Sequence, residues 1–106
     1  MTSRSINTDE WRSEDTAALM DTIIDLKDRD TAARFFRDLS TRRELEEMAA
    51  RWAVVRSLGE GHPYREIHDL TGVSTATITR IAQWVRHGTG GYVDALERAG
   101  YPTEGI

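Results

Sequence analysis

Residues 64–81 read YREIHDLTGVSTATITRI, a stretch that has the features of a helix-turn-helix. A helix-turn-helix needs a glycine at its sharp turn, where the backbone takes a positive φ, and Gly72 stands at that place. It also needs a side chain that caps the second helix, which Ser74 supplies. The apolar residues that can clamp the two helices are Ile67, Leu70, Val73, Ile78 and Ile81. Together these features predict a helix-turn-helix, and the alternative is a plain helical hairpin.

The second helix of the motif is predicted to run from Ser74 to Arg86 and to present short polar side chains to solvent. Ile78, Ile81 and Val85 are predicted to face inward. The outward positions are then Thr75, Ala76, Thr79, Arg80 and Gln83. Small residues let a helix enter the major groove of DNA, where threonine and glutamine reach base edges and a methyl group contacts thymine. The pattern therefore predicts a helix that reads duplex DNA. His68 departs from the motif because alanine is usual there, so the imidazole is either accommodated against the second helix or turned outward.

The rest of the chain also reads as helix, because no segment alternates apolar and polar residues as a strand would. The predicted fold class is all-α with six helices. We expect the first helix to run from Ser13 to Lys27 and the second to be capped by Asp30. A capping box from Thr41 to Glu44 begins the third helix, which stops at Gly59 and Gly61. Pro63 takes the first position of the fourth helix, and the sixth runs from Tyr92 to Ala99. We expect a flexible arm over residues 1–12, the folded domain over 13–100 and a loose tail over 101–106.

Composition narrows the function classes. The chain has 106 residues, 39% of them hydrophobic and 30% charged, and a core of limited size favours pairing with a second copy. The net charge of −4 is unusual for a DNA-binding domain, but no acidic residue occurs between Asp69 and Asp94. Because there is no cysteine, no disulfide or thiolate metal site is possible. No apolar run approaches the ~18 residues that span a membrane, so we expect a cytoplasmic protein without a membrane partner.

Several segments resemble the Trp repressor superfamily, and specifically its short branch of Trp-repressor-like proteins of the YerC/YecD type. The segments that carry the resemblance are FFRDL (35–39), RELEE (43–47), STATITR (74–80) and HGTGGY (87–92). The likeness covers roughly residues 15–99. It implies six helices per chain and an intertwined homodimer that holds the helix-turn-helix motifs of its two protomers apart. Such a dimer suits a palindromic site whose half-sites lie about one helical turn (~34 Å) apart.

The resemblance also implies roles for individual residues. DNA contacts fall on Arg65, His68, Thr75, Ala76 and Thr79, and the outward pattern of the second helix adds Ser74, Arg80 and Gln83. The threonine and two arginines that hold an effector correspond to Thr41, Arg51 and Arg80. The small residue that leaves room for the indole of tryptophan is replaced by Ile81, whose branched side chain is expected to fill that slot. Tryptophan is therefore not the expected ligand.

No other chemistry is indicated by the residues. The histidines lack metal-ligand spacing, no serine stands in a nucleophile elbow, and the glycines at 88–91 lack the lysine and the strand of a phosphate loop. We therefore predict no enzyme activity, no metal and no cofactor. The predicted function is a sequence-specific transcriptional regulator, a repressor that binds a palindromic duplex as a homodimer. The alternatives are a helical module that binds protein and a small-molecule sensor on the same fold.

Overall fold

A computed structural model describes residues 11–106, and within that range the chain forms six α-helices and no strand. The helices are α1 (Glu14–Ile24), α2 (Arg29–Leu39), α3 (Arg42–Gly59), α4 (Tyr64–Thr71), α5 (Thr75–His87) and α6 (Gly91–Arg98). Contacts divide the chain into two compact units, which meet at the Thr41–Arg42 boundary. None of the described helices is long and apolar enough to cross a membrane.

The first unit contains α1 and α2, and side chains cap both of its helices. The Ser13 hydroxyl accepts a hydrogen bond from the Thr16 N–H, which confirms the predicted start of α1, although the helix ends at Ile24 rather than at Lys27. The predicted cap of α2 at Asp30 is wrong: Asp28 is the cap and accepts from the Thr31 N–H at 2.8 Å. That hydrogen bond holds the pKa of the Asp28 carboxyl below its usual value.

Neither α1 nor α2 buries a side chain, even though both helices carry apolar residues. Ile24 is 78% exposed and Leu39 is 52% exposed, and Met20 is also open to solvent. Phe35 and Phe36 pack edge to face with their ring centroids 5.7 Å apart, yet both remain only half-buried. The first unit therefore leaves apolar surface that another molecule could cover.

The second unit holds the hydrophobic core, in which α3, α4, α5 and α6 pack together. Its buried apolar residues are Val54, Val55, Leu58, Ile67, Ile78, Ile81, Ala82, Val85 and Leu96. Residues from the C-terminal half of α3 line one side of this core, and α5 supplies the opposite side at helical spacing. Helix α3 thus contacts both α4 and α5, while α6 packs against α3 and α5.

The C-terminal end of α3 needs a residue without a side chain. A Cβ added to Gly59 would lie 3.1 Å from Leu96 Cδ2 and 3.2 Å from Tyr101 Cβ, so the glycine permits close approach of α6 and the segment after it. The sequence predicted that Pro63 is the first residue of α4, and this is wrong. Pro63 is the extended residue that precedes the helix. Its fixed φ of −69° is compatible with either position, so propensity alone does not separate them.

The C-terminal segment packs against the core of the second unit rather than lying loose. Tyr101 and Ile106 are partly buried against the core, and the Tyr101 N–H donates to the Leu96 carbonyl at 2.9 Å. The expectation of a loose tail is therefore wrong. Most of the predicted N-terminal arm (residues 1–10) lies outside the described residues.

Candidate nucleic-acid interface

The turn between α4 and α5 is fixed by backbone conformation and by local hydrogen bonds. Gly72 has φ +74°, the left-handed region, and its N–H donates to the His68 carbonyl at 2.8 Å, which ends α4. The Thr71 hydroxyl donates to the Ile67 carbonyl at 2.7 Å and accepts from the Val73 N–H at 3.1 Å. Ser74 then caps α5 through the Thr77 N–H at 3.2 Å. The predicted turn at Gly72 and cap at Ser74 are both confirmed.

The clamp between the two helices consists of fewer residues than the sequence predicted. Ile67 and Ile78 are fully buried and Ile81 nearly so, but Leu70 is 62% exposed. The buried side of α4 runs through Tyr64, Ile67 and Thr71, and at 100° per residue Leu70 falls beside that stripe. The prediction that Leu70 clamps the helices is therefore wrong, and its side chain belongs to the outer surface.

His68 is accommodated by a hydrogen bond that crosses the turn. Its Nδ1–H donates to the Val73 carbonyl at 2.8 Å, and the side chain remains exposed. Since Nδ1 is the donor, Nε2 lies on the other edge of the ring, away from this bond. His68, which departs from the usual motif, thus links α4 to the turn that precedes α5.

Two substitutions of His68 are expected to distinguish a hydrogen bond made from the Nδ1 position from one made from the Nε2 position. Asparagine places an amide N–H near the position of Nδ1, whereas glutamine places one near Nε2. We expect His68→Gln to lower the free energy of unfolding by about 1 kcal/mol relative to His68→Asn, because only asparagine keeps the bond to Val73. Urea denaturation of the two variants measures the difference. Equal unfolding free energies would show that the bond contributes nothing to stability.

The outward face of α5 has the composition that the sequence predicted. The exposed residues on this face are Thr75, Ala76, Thr79, Arg80 and Gln83. The Thr79 hydroxyl donates to the Thr75 carbonyl at 2.9 Å, which occupies its only proton and leaves the methyl group and lone pairs available. The face therefore offers methyl groups, hydrogen-bond acceptors, an amide and one guanidinium.

The charges on α5 itself suit an anionic partner, since the acidic residues of the motif, Glu66 and Asp69, lie on α4. Helix α5 contains no acidic residue and carries Arg86 and His87 in its last turn. On α4, Arg65 is exposed and forms no ion pair with any residue in the described range. The nearby Glu66 is engaged by His62 Nδ1 at 2.9 Å. The acidic residues that make the net charge negative therefore lie outside α5.

Of the three residues predicted to hold an effector, one lines a cavity. Arg51 is exposed on α3 and lines an open cavity of about 560 Å³ with Trp84, Tyr92 and the 88–91 loop. Arg80 is not among the residues that line this cavity, and Thr41 belongs to the first unit. Ile81 is only 4% exposed and is part of the core. Effector binding by Thr41, Arg51 and Arg80 stays a prediction.

Sequence reasoning did not single out Thr77, although the structure ties it to two neighbours. Its Oγ1 accepts from Ser74 Oγ at 3.0 Å and from Arg80 Nη2 at 3.0 Å. The signal was present in the spacing, because residues three apart on a helix are neighbours. Among residues 11–106, no cluster of three or more histidine, aspartate or glutamate side chains is placed to hold a metal ion.

Known proteins share both the sequence pattern and the fold of this chain. A family model described as Trp repressor protein matches residues 14–100. A Bacillus subtilis (strain 168) protein, described as uncharacterized protein YerC, is 40% identical over 90 residues, which cover 85% of this chain and 86% of that protein. A solved TrpR-like protein from Eubacterium eligens ATCC 27750 has 33% identity and a TM-score of 0.84 over 92% of this chain and 100% of its own. A candidate Trp repressor from Staphylococcus aureus has 30% identity and a TM-score of 0.83 over 93% and 99%. These two structures confirm the predicted fold class.

Proposed function

Since the chain belongs to the Trp repressor family, we propose that it is a sequence-specific regulator of transcription that represses by binding duplex DNA. It reads a palindromic site as a homodimer, through the helix from Ser74 to Arg86. The observation that carries this proposal is the exposed face of α5, which is free of acidic residues and projects from a hydrogen-bonded turn. A narrow helix with short side chains on such a face fits the major groove.

Phosphate contacts are assigned to groups at the rim of this face. Arg65 is an exposed cation on α4, and because His68 Nδ1–H is bonded to Val73, Nε2 can donate to a phosphate oxygen only when the imidazole is protonated. Ser74 stands at the N-terminus of α5, where backbone N–H groups and the helix dipole favour an anion. Arg80 adds a guanidinium nearly two turns further along the helix. These contacts position the protein on DNA without reading sequence.

Base contacts are assigned to Thr75, Ala76, Thr79 and Gln83. The methyl groups of Ala76 and Thr79 suit the 5-methyl group of thymine. The Thr79 hydroxyl already donates to the Thr75 carbonyl, so its methyl group is the part left for a base. The Gln83 amide can donate and accept at once, as recognition of adenine requires. Sequence preference is therefore expected to depend on this set more than on Arg65.

The homodimer is supported by the exposed apolar surface of the first unit. Two helices with no buried side chain are poorly stable on their own, and Ile24, Met20 and Leu39 lie open to water. A second copy related by a two-fold axis would bury the same surface on both chains. Such a dimer carries two copies of α5, which matches the two half-sites of a palindrome.

Selection of genomic DNA by the purified protein tests the function. Fragments bound at low salt are sequenced, and we expect a small set that shares a palindrome with half-site centres about 10 base pairs apart. Sedimentation equilibrium of the same preparation is expected to give twice the chain mass of 12.0 kDa. Failure to enrich any fragment at low salt would rule out DNA binding. A monomer that enriched single half-sites would rule out only the dimer.

Arg65→Ala and Thr79→Ala are expected to affect DNA binding in different ways. Loss of the Arg65 charge should weaken binding by a similar factor on every sequence, because phosphates are the same at all sites. Loss of Thr79 should change the preferred base, at a cost of about 1–3 kcal/mol on the original site. Fluorescence anisotropy with the selected duplex and with single-base variants measures both effects. Uniform weakening by Thr79→Ala would contradict the division of roles.

A small-molecule sensor on the same fold is the second candidate, and the cavity beside Arg51 favours it. This cavity combines a guanidinium with the rings of Trp84 and Tyr92, a set that suits an anionic aromatic molecule. Because Ile81 is buried in the core, we still expect the ligand not to be tryptophan. Sensing would regulate the proposed DNA binding rather than replace it.

A further inference from the structure

We infer that Thr77 is a positioning residue that holds the Arg80 guanidinium on the exposed face of α5 before any DNA is bound. Arg80 Nη2 donates to Thr77 Oγ1 at 3.0 Å, and the two residues are one turn apart. Within residues 11–106, Arg80 forms no ion pair, so this hydroxyl is the group that fixes the end of the side chain. The inference rests on the proposed function, since the contact that Arg80 is positioned for is a DNA phosphate.

The Thr77 hydroxyl is itself held in place from the other side. Ser74 Oγ donates to Thr77 Oγ1 at 3.0 Å and accepts from the Thr77 N–H at 3.2 Å. A hydroxyl oxygen has two lone pairs, so Ser74 and Arg80 together occupy both acceptor positions of Thr77. The side chain is half-buried and β-branched, which restricts its χ1 angle in a helix. Ser74, Thr77 and Arg80 thus form a connected row of hydrogen bonds along the first two turns.

This row changes what Arg80 can do. A free arginine side chain samples many rotamers and loses that freedom when it binds a phosphate. Anchoring by Thr77 removes part of this loss in advance, and it uses only one of the five N–H donors of the guanidinium. The remaining donors are drawn toward the N-terminal end of α5, where the helix dipole also favours an anion. Because the anchor belongs to the same helix, it operates in the absence of a small molecule.

The test compares Thr77→Val with Thr77→Ser on a duplex that the wild-type protein selects, with no ligand added. Valine has the shape of threonine but no hydroxyl, and it keeps the N–H that Ser74 caps. We expect Thr77→Val to weaken binding about three- to tenfold, as for loss of one side-chain hydrogen bond. Thr77→Ser should stay within about twofold of wild type. In an Arg80→Ala background, Thr77→Val should have no further effect.

Two results would overturn the positioning role: equal losses from valine and serine, or an unchanged loss from Thr77→Val when Arg80 is already alanine. A readout without DNA separates this inference from the proposed function. Nuclear magnetic resonance relaxation of the Arg80 side-chain N–H groups should show restricted motion in wild type and in Thr77→Ser, and faster motion in Thr77→Val. Unaltered Arg80 motion in the valine variant would refute positioning. A wild-type protein that binds no DNA would refute the function and leave the relaxation result standing. If valine unsettles the helix, Thr77→Ala removes the same hydroxyl.

Discussion

Ile78→Ala is expected to lower the free energy of unfolding by about 2–5 kcal/mol. Ile78 is fully buried where α5 faces the rest of the core. Removing its side chain beyond Cβ leaves a cavity between helices that can collapse only in part, so the loss includes both transfer and cavity terms. Since a domain of this size is marginally stable, such a change shifts much of the population toward the unfolded state.

Leu70→Ala is the matched control, because it shortens an aliphatic side chain in the same motif at an exposed position. Leu70 is 62% exposed, so its truncation is expected to change the unfolding free energy by about 0.5 kcal/mol or less. Urea denaturation of both variants at one protein concentration makes the comparison, since pairing of chains would make stability depend on concentration. Comparable losses at both positions would contradict the burial pattern described for α4 and α5.

Binding to DNA is expected to weaken about 150-fold between 50 and 200 mM salt. Arg65 and Arg80 of both protomers would neutralise about four phosphates, which gives a slope of about −3.6 in a plot of log affinity against log salt. Counterions released from DNA drive this dependence, so it reports how many cations contact phosphate. Anisotropy titrations of the selected duplex across this range measure the slope.

Arg80→Ala should halve that dependence, to a slope of about −1.8 and a fall of about 12-fold over the same range. Arg34→Ala is the control, since Arg34 is an exposed arginine on α2 that pairs with Asp30 at 2.9 Å and has no proposed DNA contact. Its slope should equal that of wild type. An unchanged slope for Arg80→Ala would remove Arg80 from the phosphate contacts, and salt-independent affinity would contradict the proposed interface as a whole.

The order of the helices and most of their boundaries could be predicted because the signals that set them are local. Ser13 and Ser74 cap their helices through hydrogen bonds to N–H groups three residues ahead, and Gly72 accepts a positive φ that other residues resist. The cap of α2 was misplaced by two residues. Asp28 and Asp30 have the same chemistry, and only the bond from Thr31 to Asp28 distinguishes them.

The amino-acid pattern was sufficient to predict an all-α chain with a helix-turn-helix, and also which side chains of α5 face outward. These properties follow from helical periodicity and from bonds between residues close in sequence. The packing of the helices shows that Ile67 is buried while Leu70 is exposed, because burial depends on which neighbouring helix covers each side of α4. It also decided that the His68 imidazole bonds to Val73 and that Thr77 holds Arg80, since rotamers are selected by the surroundings and several are compatible with one sequence.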